Sequence, residues 1–244
     1  MLELFRLDHR LQFPAVDLAL SEPNGLLAFG GDLNPQRLLQ AYRQGIFPWF
    51  GEGEPLLWWS PDPRGVIMLD DFSPSKSLKK SIRKFAYSAS MNKCFEEVIS
   101  LCSKVPRRTI KHDDEEHANT TWITDEMIDA YTELHHLGWA HSVEIWDKEQ
   151  KLVGGLYGIA INGGFCGESM FHLRTDASKA AFFALAQHMR KHGMDFIDCQ
   201  MVNPHLASLG CTELPRKDFM QMWQNACSQA VEEHCWHRQD LALT

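Results

Sequence analysis

The sequence predicts an α+β fold, with a small N-terminal domain (residues 1–63) ahead of a C-terminal domain (64–244) built on an antiparallel meander with flanking helices. Three observations carry this. Apolar runs at 142–146, 152–161 and 165–171 follow one another across short polar turns, and helix, strand and helix patterns come after them. The turn-rich Ser60-Pro61-Asp62-Pro63 separates a loop-rich, aromatic first part from apolar Gly65-Val66-Ile67-Met68-Leu69. With 244 residues and 44% hydrophobic content, the chain is long and apolar enough to bury a core.

Each element has its own signal. Asn34-Pro35 supplies an N-cap and a first-turn proline, Arg37-Leu38-Leu39-Gln40-Ala41-Tyr42 continues the helix, and Gly45 stops it. Gly45-Ile46-Phe47-Pro48-Trp49-Phe50 and Leu57-Trp58-Trp59-Ser60 then place three of the eight tryptophans within eleven residues. Proline and glycine interrupt this stretch, so the rings are expected on stiff loops rather than along one regular buried face. Such rings suit a ligand that stacks, nucleobases among them, or else fill a packed corner between domains. Ser73-Pro74 is expected to begin a second helix whose Lys76, Lys79, Lys80, Arg83 and Lys84 form one basic face, with Leu78, Ile82 and Phe85 as its anchor. Against a net charge of −8, that face reads as a local patch for phosphates.

Asn92 is expected to cap a third helix carrying Phe95, Val98, Ile99 and Cys102, and the acidic, aperiodic stretch from Val105 to His117 to form a surface loop. Thr124-Asp125-Glu126 opens a fourth helix that runs through Met127, Ile128, Tyr131 and Leu134 to Gly138. The meander strands Ser142–Trp146, Leu152–Ile161 and Phe165–Phe171 are joined through Asp147-Lys148-Glu149-Gln150 and Asn162-Gly163-Gly164. A helix over 177–192 ending at Gly193, a strand over 195–200 and a last helix over 217–234 complete the chain. Meander, helix, strand, helix is the order of a GNAT-like acyltransferase domain, an analogy of fold that does not settle chemistry.

Composition excludes several classes. The N-terminus has no basic segment followed by an apolar run, and no 18-residue apolar stretch occurs, so neither export nor membrane insertion is expected. The odd set of seven cysteines, without a CxxC pair, reads as reduced, mostly buried thiols of a cytoplasmic protein. His188 and His192 share a helix face and His234-Cys235-Trp236-His237 offers soft ligands, but neither group has a convincing set of further ligands along the sequence. No metal and no cofactor are therefore expected. No G-x-S-x-G turn or papain-type cysteine signature is present, and Leu173-Arg174-Thr175-Asp176-Ala177-Ser178-Lys179 lacks the glycine-rich turn that cradles coenzyme A in GNAT enzymes.

Polar groups at period-two spacing mark the candidate site. Glu168 and Met170 are expected on one face of their strand, and Asp198 and Gln200 on one face of theirs. With Leu156 and Ile197 they would form an apolar pocket holding a few convergent polar groups; a solvated acid at a sheet edge is the plainer alternative for either carboxylate alone. Gly154, Gly155 and Gly158 mark close approach of a ligand or another backbone, or a bulge.

The runs Glu22-Pro23-Asn24-Gly25-Leu26-Leu27-Ala28, Gly30-Gly31-Asp32-Leu33, Gly45 to Phe50, Trp58 to Arg64, Thr121-Trp122-Ile123-Thr124, Cys166-Gly167-Glu168-Ser169-Met170-Phe171 and Ile197-Asp198-Cys199-Gln200 together resemble the leucyl/phenylalanyl-tRNA–protein transferases of the bacterial N-degron pathway. The resemblance implies a soluble, cytoplasmic and monomeric enzyme. It would move Leu, Phe or, less readily, Met from aminoacyl-tRNA to proteins beginning with Arg or Lys, which are then degraded. It also implies Trp49 and Trp122 on the terminal adenosine of the tRNA, and Leu156, Glu168, Met170 and Ile197 in or beside the aminoacyl pocket. Asp198 and Gln200 would be catalytic, and the cations from Lys76 to Lys84 would face the tRNA backbone. A coenzyme A-dependent N-acyltransferase and a non-enzymatic RNA- or N-terminus-binding module are the alternatives.

Overall fold

The computed structural model describes residues 4–104 and 122–243. The expected loop from Val105 to His117 lies outside the described residues.

The N-terminal part is a four-stranded sheet with one α-helix and a short 3-10 turn at Val16–Leu18. Its elements are β1 (Phe5–Leu7), β2 (Leu26–Gly30), α1 (Pro35–Arg43), β3 (Phe47–Pro48) and β4 (Leu57–Trp59), and the sheet order is β1-β2-β4-β3. The Asn34 side chain accepts from the Gln36 N–H at 2.9 Å, and the positive φ of Gly45 (+68°) turns the chain out of the helix. The tryptophan stretch departs from expectation. Trp58 and Trp59 lie in strand β4 beside β3, and Trp58 is wholly buried, its Nε1 donating to Gly30 O at 2.9 Å. The proline is tolerated because β3 is a two-residue edge strand. Arg37 is also fully buried, bonded to Asp32 and to the carbonyls of Asp8 and Arg10, so one α1 cation ties down the N-terminal segment.

The rest of the chain comprises β5 (Arg64–Met68), α2 (Lys76–Phe85), β6 (Ser88–Met91), α3 (Phe95–Lys104), α4 (Asp125–His136), β7 (Ala140–Trp146), β8 (Leu152–Ile161), β9 (Gly164–His172), α5 (Ala177–Lys191), β10 (Phe196–Gln200), α6 (Pro204–Ala207), β11 (Thr212–Leu214), α7 (Arg216–Ser228) and β12 (Gln239–Leu241). They form an eight-stranded sheet ordered β11-β5-β10-β9-β8-β7-β6-β12. The meander β7-β8-β9 is present, and α5 crosses over to bring β10 back parallel to β9; the other neighbouring pairs are antiparallel. The order expected of a GNAT-like domain is thus observed in an α+β chain.

Several boundaries differ from the sequence reading. Helix α2 starts at Lys76 under a Ser75 cap rather than at Ser73, as Ser75 Oγ accepts from Leu78 N. Asn92 does not cap α3: its amide bridges Ser142 N, His141 and Trp236 O, joining β7 to the C-terminal segment. Helix α7 ends at Ser228, six residues short of His234, because the chain turns to bury Cys235 behind α5.

Two buried clusters sandwich the large sheet. One gathers Ile67, Val143, Leu156, Phe165 and Ile197 under α2 and α5. The other gathers Val98, Tyr131, Tyr157, Cys166 and Trp223 under α3, α4 and α7, and continues into Leu38, Tyr42 and Trp58 of the N-terminal part. Each face therefore has its own side-chain set, in keeping with the two-residue period of a strand. The three meander glycines are explained by crowding within the fold: a Cβ on Gly154 would strike Ala177 of α5, one on Gly155 would meet Val143 O and one on Gly158 would meet Cys166 O and Phe165.

Candidate active site

Pairing between β9 and β10 covers Phe165–Ile197 and Cys166–Asp198 only, whereas β9 runs on to His172. The two parallel strands therefore part beyond Asp198, and Glu168 and Gln200 line the opening. A bulge sets Glu168 there. Tyr157 pairs with Ser169 and Gly158 with Gly167, leaving Glu168 as the extra residue between them. This corrects the simple alternation expected along the strand: the bulge turns Glu168 toward Tyr131 and Tyr42, while Met170 packs with Leu156 and Ile197 on the α5 side. The site is polar on one face of the sheet and apolar on the other.

Asp198 is 1% exposed and forms a bidentate pair with Arg64, which is equally buried: Arg64 Nε donates to Oδ1 at 2.8 Å and Nη2 to Oδ2 at 2.6 Å. Arg64 Nη1 also donates to Gly45 O at 3.0 Å, and the guanidinium lies over the rings of Phe47 and Phe219. Burial opposes its charge, but Asp198 outweighs burial and raises the guanidinium above its ordinary range. Cys166 Sγ and the Gln200 backbone N–H complete the shell of Asp198, at 3.1 and 3.0 Å. Both oxygens of Asp198 are thus engaged within the interior. Asp198 holds the Gln200 backbone in its left-handed conformation (φ +58°) through that N–H, and does not bond the side-chain amide.

The Gln200 amide instead points at β9. Nε2 donates to Cys166 Sγ at 2.9 Å and to Glu168 Oε1 at 3.4 Å. Glu168 is half-buried; burial pushes its carboxyl up to about 7, with Asp198 adding to the rise and bonds from Tyr42, Cys166 and Tyr131 opposing it. Tyr42 and Tyr131 share a hydrogen bond between their hydroxyls, and burial raises both phenols well above their usual range. A network of Arg64, Asp198, Cys166, Gln200, Glu168, Tyr131 and Tyr42 thus surrounds the opening.

The expected site residues separate into groups. Asp198, Gln200 and Glu168 come together, and Leu156, Met170 and Ile197 lie across the sheet from them. Trp49 is 40% exposed and set edge-on to Trp59, whose Nε1 donates to Trp49 O at 2.7 Å; Trp122 is half-buried against the core of α3 and α4. Lys76, Lys79, Lys80, Arg83 and Lys84 are all exposed on α2, with Leu78 and Ile82 buried beneath. Sequence reasoning overlooked Arg64, Cys166, Tyr42 and Tyr131. Arg64 had one available signal, a cation between a proline turn and an apolar strand, whereas the tyrosines sit on apolar helix faces like any core residue.

The site is a sheet opened between two parallel strands, with the Gln200 amide and the Glu168 carboxyl at the opening. The chain's family emerges from sequence comparison. Residues 66–224 match the family profile described as leucyl/phenylalanyl-tRNA protein transferase, and residues 31–62 match that of its N-terminal domain. The leucyl/phenylalanyl-tRNA–protein transferase of Pseudoalteromonas atlantica is 54% identical over 99% of both chains, and that of Shewanella woodyi is 49% identical over 100% of this chain and 99% of its own. Among solved structures, L-PGS from Bacillus licheniformis covers 89% of this chain and 65% of its own at 11% identity and a TM-score of 0.39, a likeness too weak to carry an argument. The chain belongs to the leucyl/phenylalanyl-tRNA protein transferase family and is an aminoacyl-tRNA–protein transferase. Among the described residues, no helix is long and apolar enough to cross a membrane.

Proposed function

We propose that this chain, as a cytoplasmic monomer, joins Leu, Phe or less readily Met from aminoacyl-tRNA to proteins beginning with Arg or Lys, marking them for degradation. The observation that carries this reading is the opening between β9 and β10, where Gln200 and Glu168 meet beside the apolar side of the sheet. The aminoacyl side chain enters toward Met170, Leu156 and Ile197, and its ester carbonyl stays at the polar mouth. Trp49, steadied by Trp59, and Trp122 take the terminal adenosine; a stacked base contributes about 1–3 kcal/mol. The exposed cations of α2 hold the acceptor stem through phosphates, without reading sequence.

The aminoacyl ester is already activated, and an α-amine with a pKa near 7.7–8.0 is partly neutral at cell pH. The amine nitrogen attacks the carbonyl carbon, the C–N bond forms, and the ribose oxygen leaves and takes up a proton. Gln200, its NH2 committed to Glu168 and Cys166, turns its carbonyl oxygen to the amine and orients it. An amide is a poor base, so the amine proton passes to Glu168, whose pKa of about 7 is matched to the task. Arg64 neutralises Asp198, so Glu168 supplies the negative charge at this site that favours a cationic protein N-terminus.

The test is transfer of labelled Phe from Phe-tRNA to a protein with N-terminal Arg, with RNase-treated donor and N-acetylated acceptor as controls. Transfer that depends on intact tRNA and a free amine supports the reading. Near-normal transfer by Gln200→Ala at saturating substrates would remove Gln200 from its role.

A further inference from the structure

Two groups that sequence spacing left incomplete are brought together by folding. His188 and His192 stand one turn apart on α5, with ring centroids 4.6 Å apart. After α7 the chain returns to this face and sets Cys235, fully buried, beside His188, with Sγ 3.6 Å from Nε2. Glu232 from the same segment places Oε2 3.4 Å from His192 Nδ1. One donor atom from each of His188, His192 and Cys235 lies within 4.8 Å of the other two.

These separations fit ligands that share one ion. With Zn–N of about 2.0–2.1 Å and Zn–S of about 2.3 Å, tetrahedral geometry puts sulfur and nitrogen about 3.6 Å apart, the spacing of Cys235 Sγ and His188 Nε2. Two imidazoles and a thiolate make a set suited to a borderline-soft divalent ion and unsuited to magnesium or calcium. We propose that His188, His192 and Cys235 form a zinc-type site that fastens the C-terminal segment onto α5. Glu232 stands against the His192 ring and would help orient it toward the ion.

Binding breaks the Cys235 S–H bond, releases its proton to solvent and forms the S–Zn bond without any redox change. It also exchanges one contact, because His188 Nε2, bonded at 2.8 Å to Cys235 O without metal, becomes a ligand. The ion would seat the neighbouring Trp236, which stacks on His141 and Phe165 and accepts from Asn92 at its carbonyl. Phe165 belongs to β9, the strand that carries Glu168, so the clip supports the sheet from behind without touching substrate.

The test uses the full, untagged chain, stripped with chelator and titrated with zinc, with bound metal measured by mass spectrometry and stability by thermal melting. One zinc per chain and a rise in Tm are expected, with no rise from magnesium. Cobalt in place of zinc should give intense tetrahedral d–d bands and a thiolate-to-cobalt charge-transfer band. Cys235→Ser should abolish that charge-transfer band, and Cys235→Ser and His192→Gln should each weaken binding at least about 100-fold, since even outer-shell changes cost 10–100-fold. Absence of stoichiometric zinc, or unchanged affinity in Cys235→Ser, overturns the site. If the variants fail to fold, the wild-type cobalt spectrum decides: tetrahedral bands with thiolate character support the site, and a weak octahedral spectrum refutes it.

Discussion

Replacing Arg64 with methionine tests the architecture of the site most directly. Arg64 and Asp198 are each 1% exposed and joined by bonds of 2.6 and 2.8 Å, so methionine would leave a buried carboxylate without its cation. Breaking such a pair costs about 3–5 kcal/mol. At about 2–4 °C per kcal/mol for a chain of this size, Tm should fall by about 6–20 °C. Activity should fall as well, because Asp198 Oδ1 holds the Gln200 N–H and thereby its left-handed backbone; a displacement of about 1 Å at a reacting group costs about 100-fold. Urea and thermal melts give the stability, and single-turnover transfer from Phe-tRNA, below the melting range, gives the rate. The double variant Arg64→Met/Asp198→Asn should recover at least about 1 kcal/mol relative to the sum of the singles, without recovering transfer. A loss under about 1 kcal/mol in Arg64→Met, or full stability loss with transfer unchanged at saturating substrates, would refute this account of the pair.

Four further outcomes follow from the structure. Wild-type transfer should rise with pH through about 7 as Glu168 ionises, and Glu168→Gln should lose that limb while keeping the one set by the amine; an identical profile in the variant would exclude Glu168 as proton acceptor. The raised pKa also means that the folded chain retains a proton the unfolded chain has released, so stability should decline as pH rises from about 4.5 to about 7, less steeply in Glu168→Gln when followed by urea melts. Reversing charge at Lys76, Lys79 and Lys80 should weaken aminoacyl-tRNA use and flatten its salt dependence by about one logarithmic unit per lost phosphate contact, leaving a minimal aminoacyl-adenosine donor unaffected; equal loss with both donors would refute that role. Gly158→Ala should destabilise the chain by about 1–3 kcal/mol in urea melts, since the added Cβ would meet Cys166 O and the Phe165 ring.

Much of the fold was legible because its signals are local. The Asn34 cap, the Thr124 cap, the basic face of α2 and the three meander strands depend on periods and end residues within one element, and the structure shows each. The errors have the opposite character. Asn92 looked like a cap from its neighbours, yet its partners are Ser142, His141 and Trp236, far along the chain. Glu168 and Met170 looked coplanar by alternation, and a single bulge divides them.

The sequence by itself determined the element order, the polar residues that gather at the opening and, through its runs, the family. Tertiary structure decided which of those residues stand free to meet a substrate. It bound Asp198 to Arg64 across 134 positions, turned the Gln200 amide to Glu168, and joined the α5 histidines to a cysteine 47 residues from His188. The physical reason is that burial, charge pairing and sheet register are set by contacts between distant segments, whereas sequence patterns report only the face an element turns to its nearest surroundings.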